Sequence, residues 1–244
     1  MGGKLRGRTA LVTGANRGIG SAVSRAFANE GARLLLAGRN VEALQQLRDE
    51  IVAGGGDARV LVVRLDDAGS VRGFAAEVAT FTPHLDIFVA NAASLGARRP
   101  LVSYPLDAWQ RTFRTNVEAN LLLLQLLDPL LKASAAARII MLSAGVARQG
   151  KATTGSYAVS KAALEAMVRI YAVETAGTPV RINVINPGPT RTEMRARAAP
   201  DEDPGTLKTP QDIAPLFVEL AAADCIKQAE VINADTWFAS RQRS

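Results

Sequence analysis

Two side chains one helical turn apart, Tyr157 and Lys161, have the types and spacing for acid–base chemistry. Residues at i and i+4 lie on one face of a helix, so both would point into a common cleft. A free tyrosine ionises near 10, too high for proton transfer at neutrality. A neighbouring cation favours phenolate, and bringing a phenol down to about 7–8 takes about 3–4 kcal/mol of differential stabilisation. A close ammonium in a half-desolvated cleft is one source of it. Ser143, at the end of a strand-like run upstream, is a hydroxyl of the kind that hydrogen-bonds a reacting oxygen.

A second constellation lies near the start of the chain. After the strand-like run Thr9–Val12 come Thr13-Gly14-Ala15-Asn16-Arg17-Gly18-Ile19-Gly20, and a helical pattern begins. Gly14 suits a tight exit from a strand, Gly18 lets backbone approach a pyrophosphate, and Gly20 lets helix and strand pack closely. The free N–H groups and dipole of the helix start favour phosphate charge. The next strand-like run ends Leu36-Ala37-Gly38-Arg39, where a site for NAD would place an acid for the ribose hydroxyls. Here no carboxylate repels a 2′-phosphate, and Arg39, with Arg17 in the loop, offers guanidinium donors to grip one. NADP(H) is therefore the expected dinucleotide and NAD the less favoured one. The positive charge of an oxidised nicotinamide would add to that of Lys161 in stabilising a Tyr157 phenolate.

These residues need a frame. Strand-like runs fall at Thr9–Val12, Arg33–Ala37, Arg59–Val63, Asp86–Ala90, Arg138–Leu142, Arg181–Ile185 and Val231–Asn233. Helical patterns fall between them, near Ile19–Glu30, Val41–Ala53, Gly69–Ala79, Leu106–Lys132, Ser156–Thr175 and Gln211–Ala222. Strands too apolar to have a wet face, alternating with helices, predict an α/β fold with a doubly wound parallel sheet of about seven strands. With 244 residues and no linker or repeat, residues 1–244 read as a single domain. The segment 191–210, rich in Arg, Asp, Glu and Pro, is expected to form a lid over the carboxyl ends of the strands.

Composition narrows the chemistry. One cysteine, Cys225, and one histidine, His84, leave neither a disulfide nor a thiolate or imidazole metal site, so metal-free chemistry is expected. The net charge of +6 is spread along the chain without a basic run or aromatic platform, which argues against nucleic acid as partner and suits attraction of a small polyanion. The start shows no secretory leader, and Arg6 breaks the N-myristoylation pattern. The greasiest run, Leu121 to Leu131, is too short to span a bilayer. The expected setting is the cytoplasm, away from membranes.

Taken in order, Thr13-Gly14…Gly18-Ile19-Gly20, Asp66, Asn91-Ala92-Ala93, Asn116, Ser143, Tyr157…Lys161 and Asn186-Pro187-Gly188…Thr192 resemble the short-chain dehydrogenase/reductase family over nearly the whole length. The resemblance implies a Rossmann-type sheet in strand order 3-2-1-4-5-6-7 and a catalytic tetrad of Asn116, Ser143, Tyr157 and Lys161. Tyr157 would exchange the proton with the substrate oxygen and Ser143 would hydrogen-bond it. Lys161 would hold the nicotinamide ribose, and Asn116, mid-helix and one turn before Asn120, would position a water leading from Lys161 to solvent. Asp66 would touch the adenine edge and Asn91 the adenosine ribose. Pro187 and Gly188 would back the nicotinamide, with Thr190 and Thr192 near its carboxamide or the phosphates. The implied activity is reversible hydride transfer between NADP(H) and a carbonyl or secondary alcohol. A sensor or scaffold that binds NADP(H) without turnover, and an NAD-linked dehydrogenase, are the alternatives.

Asn91-Ala92-Ala93 has an alanine where the family commonly has glycine, a small departure. Val146–Gly150 is expected to form a substrate wall, and Trp109 and Trp237 to serve packing or subunit contacts. Helices Leu106–Lys132 and Ser156–Thr175 are apolar over more than one face, and in the family they pack against their copies, which implies a homodimer or homotetramer.

Overall fold

The computed structural model describes residues 3–241. Met1, Gly2 and the chain after Arg241 lie outside the described residues. Seven strands form one sheet: β1 (Thr9–Thr13), β2 (Arg33–Gly38), β3 (Asp57–Val62), β4 (Ile87–Ala90), β5 (Arg138–Leu142), β6 (Arg181–Asn186) and β7 (Val231–Asn233). Their order is β3-β2-β1-β4-β5-β6-β7 and every pairing is parallel, as the sequence predicts. The direction of winding reverses between β1 and β4, where Val12 pairs with Leu36 on one side and Val89 on the other. Such a reversal opens a crevice at the carboxyl ends of the strands.

Both faces of the sheet are covered because successive side chains of a strand point to opposite faces. Leu34 and Leu36 of β2 join a core with Phe27 of α1 (Gly18–Asn29), Leu47 of α2 (Val41–Ala53) and Phe217 of α8 (Pro210–Ala221). Leu35 and Ala37 join the opposite core with Phe74 of α3 (Ala68–Phe81), Leu123 of α5 (Ala119–Ala133) and Leu164 of α6 (Gly155–Glu174). Helix starts are set locally. The Asn40 side chain accepts from Ala43 N at 3.1 Å, Asp67 from Gly69 N at 2.8 Å, and Thr209 and Asp212 form a reciprocal capping box.

Three elements differ from the sequence expectation. The pattern Leu106–Lys132 is not one α-helix: α4 (Leu106–Phe113) passes into a π-helical turn at Arg114–Glu118 before α5 begins. The apolar spacing continues across such a turn, so periodicity does not reveal it. The segment 191–210 contains a short helix, α7 (Glu193–Ala198), capped by the Thr192 side chain, which accepts from Arg195 N at 3.1 Å. Beyond β7 the chain forms α9 (Ala234–Arg241), a short helix with one buried residue, Ala234, and hence almost no apolar stripe to read. Among the described residues, no helix is long and apolar enough to cross a membrane.

Candidate active site

The glycine loop is shaped as the sequence predicts. Gly14 and Gly18 have φ of 66° and 55°, a left-handed conformation that side chains disfavour. A Cβ on Gly20 would stand 2.2 Å from the Gly14 carbonyl oxygen, so no other residue fits there. Asn91, at the exit of β4, donates its side-chain amide to the carbonyls of Thr13 and Gly14 at 2.9 and 3.2 Å. Asn91 therefore fastens the loop, and its amide nitrogen is engaged by backbone rather than presented to a ribose. The Asn16 side chain lies beside Gly38, close to the exit of β2. Ile19 packs on the core beneath.

At the edge of this loop, Arg39 is exposed and makes no ion pair with a described residue. Arg17 is the residue before α1 and is ion-paired with Glu193 of α7. No acidic side chain stands in the first turn of α1, and no side chain caps it. The uncapped helix start and Arg39 give this rim positive character, while the Arg17 charge is shared with Glu193. Asp66 lies past the end of β3, 3.8 Å from Arg64. Gly188 has φ 64°, and Asp235 of α9 occupies the space a Cβ there would take. The Thr190 hydroxyl donates to the carbonyls of Pro187 and Gly188 at 3.2 and 3.3 Å, and Thr192 packs against Gly18. The 191–210 segment thus begins on the glycine loop. It is held elsewhere by Lys208 with Asp235 and by Arg98 on the Ala198 carbonyl.

Helix α6 carries Tyr157 and Lys161. The lysine is buried, its Nζ 5.8 Å from the tyrosine ring centroid, and it donates to the Leu142 carbonyl at the end of β5 at 2.6 Å. Burial brings Lys161 down to about 8. It pushes Tyr157 up to about 12, opposite to the lowering expected from the spacing alone. The cause is desolvation, which penalises a buried phenolate just as it penalises a buried ammonium.

Asn116 sits in the π-helical turn and is completely buried. Its carboxamide accepts from Ser94 N at 2.7 Å and donates to Ser94 O and to the Ser160 hydroxyl, each at 2.9 Å. These bonds tie the chain after β4 to α6 beside Lys161. Its own carbonyl accepts from Asn120 at 2.8 Å.

Ser143 already has a partner inside the protein. Its hydroxyl donates to Glu165 Oε1 at 2.6 Å, and both residues are buried. Glu165 Oε2 accepts from Arg148 Nε at 2.9 Å. A buried carboxylate is a stronger acceptor than a phenol, which explains why the serine faces Glu165 and not Tyr157. The next residue, Ala144, has no hydroxyl to offer in its place. The sequence does not single out Glu165, and it places Arg148 only within the Val146–Gly150 wall. The available signal was a carboxylate one turn beyond Lys161 on a helix that is otherwise apolar there. Tyr104 was missed as well: its hydroxyl bonds Ala97 N at 2.8 Å and Ser156 Oγ at 2.6 Å, tying the chain after β4 to the start of α6. Trp109 stacks on Phe113 and Trp237 donates to Glu219, both in packing roles. Among the described residues, no group of three or more His, Cys, Asp or Glu is placed to hold a metal.

A family model described as short chain dehydrogenase matches residues 8–203. The chain belongs to the short chain dehydrogenase family. It is 40% identical over 223 residues to the uncharacterized oxidoreductase YciK of Escherichia coli K12, covering 90% of this chain and 88% of that one. A putative short chain dehydrogenase from Escherichia coli CFT073, solved with NADPH, superposes with a TM-score of 0.90 at 39% identity, covering 94% of this chain and 97% of that one. Another from Shigella flexneri 2a, solved with NADP, gives 0.92 at 38% identity, covering 96% and 100%. This short chain dehydrogenase is accordingly an oxidoreductase whose crevice residues stand at the strand ends where that fold binds its ligands.

Proposed function

We propose that the protein interconverts a carbonyl and a secondary alcohol with NADP(H), Tyr157 exchanging the proton with the substrate oxygen. The observation that carries this reading is the pairing of buried Lys161 with Tyr157 on α6, on the same sheet edge as the glycine loop. Two relatives solved with NADPH or NADP support the cofactor, as do Arg17, Arg39 and the uncapped α1. Gly14, Gly18 and Gly20 admit the phosphates, and Asn16 and Arg39 stand where the 2′-phosphate end would lie. Asp66, Pro187, Gly188, Thr190 and Thr192 complete the rim. When bound, the nicotinamide supplies or accepts the hydride. Lys161 holds the ribose and lends positive charge to the phenol. That charge must offset the burial that raises Tyr157. Asn116 is a positioning residue that holds α6 against the chain after β4. Ser143 and Glu165 hold the end of β5.

We further propose a cytoplasmic homo-oligomer. Leu106 of α4, Leu121 of α5 and Ile170 and Val173 of α6 are 69%, 45%, 60% and 76% exposed, apolar side chains on the helices that a second copy would cover.

One observation favours a second reading, binding of NADP(H) without turnover: the Ser143 hydroxyl is engaged by Glu165, leaving the substrate oxygen without that donor. A panel of ketones and aldehydes with NADPH, and NADH as control, tests between them. Consumption of NADPH with some carbonyl is expected; binding without consumption across the panel would favour the sensor.

A further inference from the structure

Ser143 is 2% exposed and its hydroxyl is committed to Glu165. A carbonyl oxygen that gains negative charge during hydride transfer is nevertheless stabilised by a fixed donor, which is worth about a hundredfold or more in rate. The residue after Ser143 is Ala144, which has no donor in its side chain. Any other donor must lie at the carboxyl ends of the strands, on the face of the sheet that α6 covers.

Asn186, the last residue of β6, meets both conditions. Ile182 and Val184 join the core that includes Leu164 and Val168 of α6, while Ile185 joins the opposite one. Side chains alternate along a strand, so Asn186 points to the α6 face. It stands beside Ser143, whose N–H donates to the Ile185 carbonyl at 2.9 Å. The stripe of α6 that faces the sheet runs through Val168, Leu164 and Lys161, and Tyr157 continues it one turn nearer the helix start. Lys161 ties this stripe to the end of β5 through the Leu142 carbonyl. Because α6 follows β5, its start lies at the carboxyl ends of the strands, and α6 packs on both β6 and the turn Gly145–Ala147. Unlike Ser143, Asn186 is only half-buried. Its Oδ1 accepts from Gly188 N at 3.2 Å, which fixes how the carboxamide faces. Nδ2 has no hydrogen-bond partner among the described residues, and it lies 3.7 Å from where a Cβ on Gly145 would stand. An asparagine that only shaped the turn at Pro187-Gly188 would need its oxygen alone. The amide hydrogens are left for a further acceptor.

We infer that Asn186 is a catalytic residue of this site, its Nδ2 donating to the substrate oxygen alongside Tyr157 in the place that Ser143 does not fill. The inference rests on the oxidoreductase reading and adds a residue to it. As the carbonyl carbon receives hydride from NADPH, the oxygen takes the π pair of the C=O bond and then the Tyr157 proton. Asn186 keeps its own protons and stabilises the charge on that oxygen. In the reverse direction Tyr157 takes the hydroxyl proton, and Asn186 holds the oxygen while hydride leaves for NADP+.

The test compares the unaltered protein with Asn186→Ala and Asn186→Asp on any carbonyl that the unaltered protein reduces. Aspartate keeps an oxygen for Gly188 N–H but, when ionised, has no hydrogen to donate. Both variants are expected to lose about a hundredfold in kcat, with NADPH affinity of the alanine variant within about threefold of the unaltered protein. A protonated carboxyl regains a donor, so the aspartate variant, measured relative to the unaltered protein, should recover severalfold between about pH 8 and about pH 5. The alanine variant should show no such recovery. A loss of less than about tenfold in either variant would overturn the inference and leave Asn186 a turn residue. So would an aspartate profile parallel to that of alanine, or a loss of turnover matched by an equal loss of NADPH affinity. Ser143→Ala, measured alongside, should cost less than Asn186→Ala; the reverse ranking would return the role to Ser143 and overturn the inference. Active Asn186 variants remove this role alone, with the oxidoreductase reading intact. Absence of NADPH consumption by the unaltered protein with every carbonyl would sink that reading and this role with it.

Discussion

Burial acts on Tyr157 and Lys161 in opposite directions, and both effects can be measured through stability. Lys161 falls from 10.5 unfolded to about 8 folded, so between those values the unfolded chain holds the extra proton. Stability therefore rises with pH from about 8 to 10.5, as the cost of a buried ammonium is relieved. Tyr157, raised from 10 to about 12, acts in reverse, and its contribution falls as pH rises through that range. Relative to a Lys161→Met variant, the unaltered protein should gain about 3 kcal/mol from pH 8 to 10.5 in urea unfolding; parallel curves would contradict the burial assigned to Lys161. Ser143 gives a sharper contrast. A substrate-oxygen donor would cost about a hundredfold or more in kcat when removed. With its hydroxyl on Glu165, Ser143→Ala should cost about 1–3 kcal/mol of stability and less than about tenfold in kcat. Comparing its urea midpoint with its turnover decides which role it has. The residue types Ser143, Tyr157 and Lys161 were legible in the sequence. The direction of the serine hydroxyl was not, because it depends on Glu165, a residue distant along the chain whose burial only the folded core imposes.

At the scale of elements, the cofactor end of the crevice is set by the exit of β2 and the start of α1. Arg39→Asp would place a carboxylate where the 2′-phosphate end is proposed. It should lower the NADPH-over-NADH affinity ratio by about 10–100-fold, readable by nucleotide fluorescence titration; an unchanged ratio would remove Arg39 from the site. The strands were legible because continuous apolar runs such as Leu34–Ala37 can be satisfied only with both faces covered, while their order was implied by the family resemblance alone. The π-helical turn that buries Asn116 was not, since it keeps the apolar spacing of its neighbours. Nor were α7 and α9, which are short and held by Thr192, Lys208 and Asp235 rather than by an apolar stripe. The pairing of Arg17 with Glu193 belongs to the same class, being a contact between elements far apart in sequence.

At the scale of the whole molecule, Leu106, Leu121, Ile170 and Val173 are apolar side chains that α4, α5 and α6 leave exposed in a single copy. Light scattering should give a mass that is a multiple of the 25.8 kDa chain. The double variant Leu121→Glu, Val173→Glu should shift it toward a single copy, because two carboxylates cannot be buried there unpaired. A mass unmoved by those changes would place the interface elsewhere. The +6 charge and the arginines beside the glycine loop favour an anionic ligand at that end of the crevice. The central claim is that Tyr157 exchanges the proton in an NADP(H)-linked reaction. The most direct test is Tyr157→Phe with any carbonyl that the unaltered protein reduces, measuring NADPH consumption and NADPH affinity together. Turnover should fall by at least about a thousandfold with affinity nearly unchanged; turnover within tenfold of the unaltered protein would contradict the role of Tyr157.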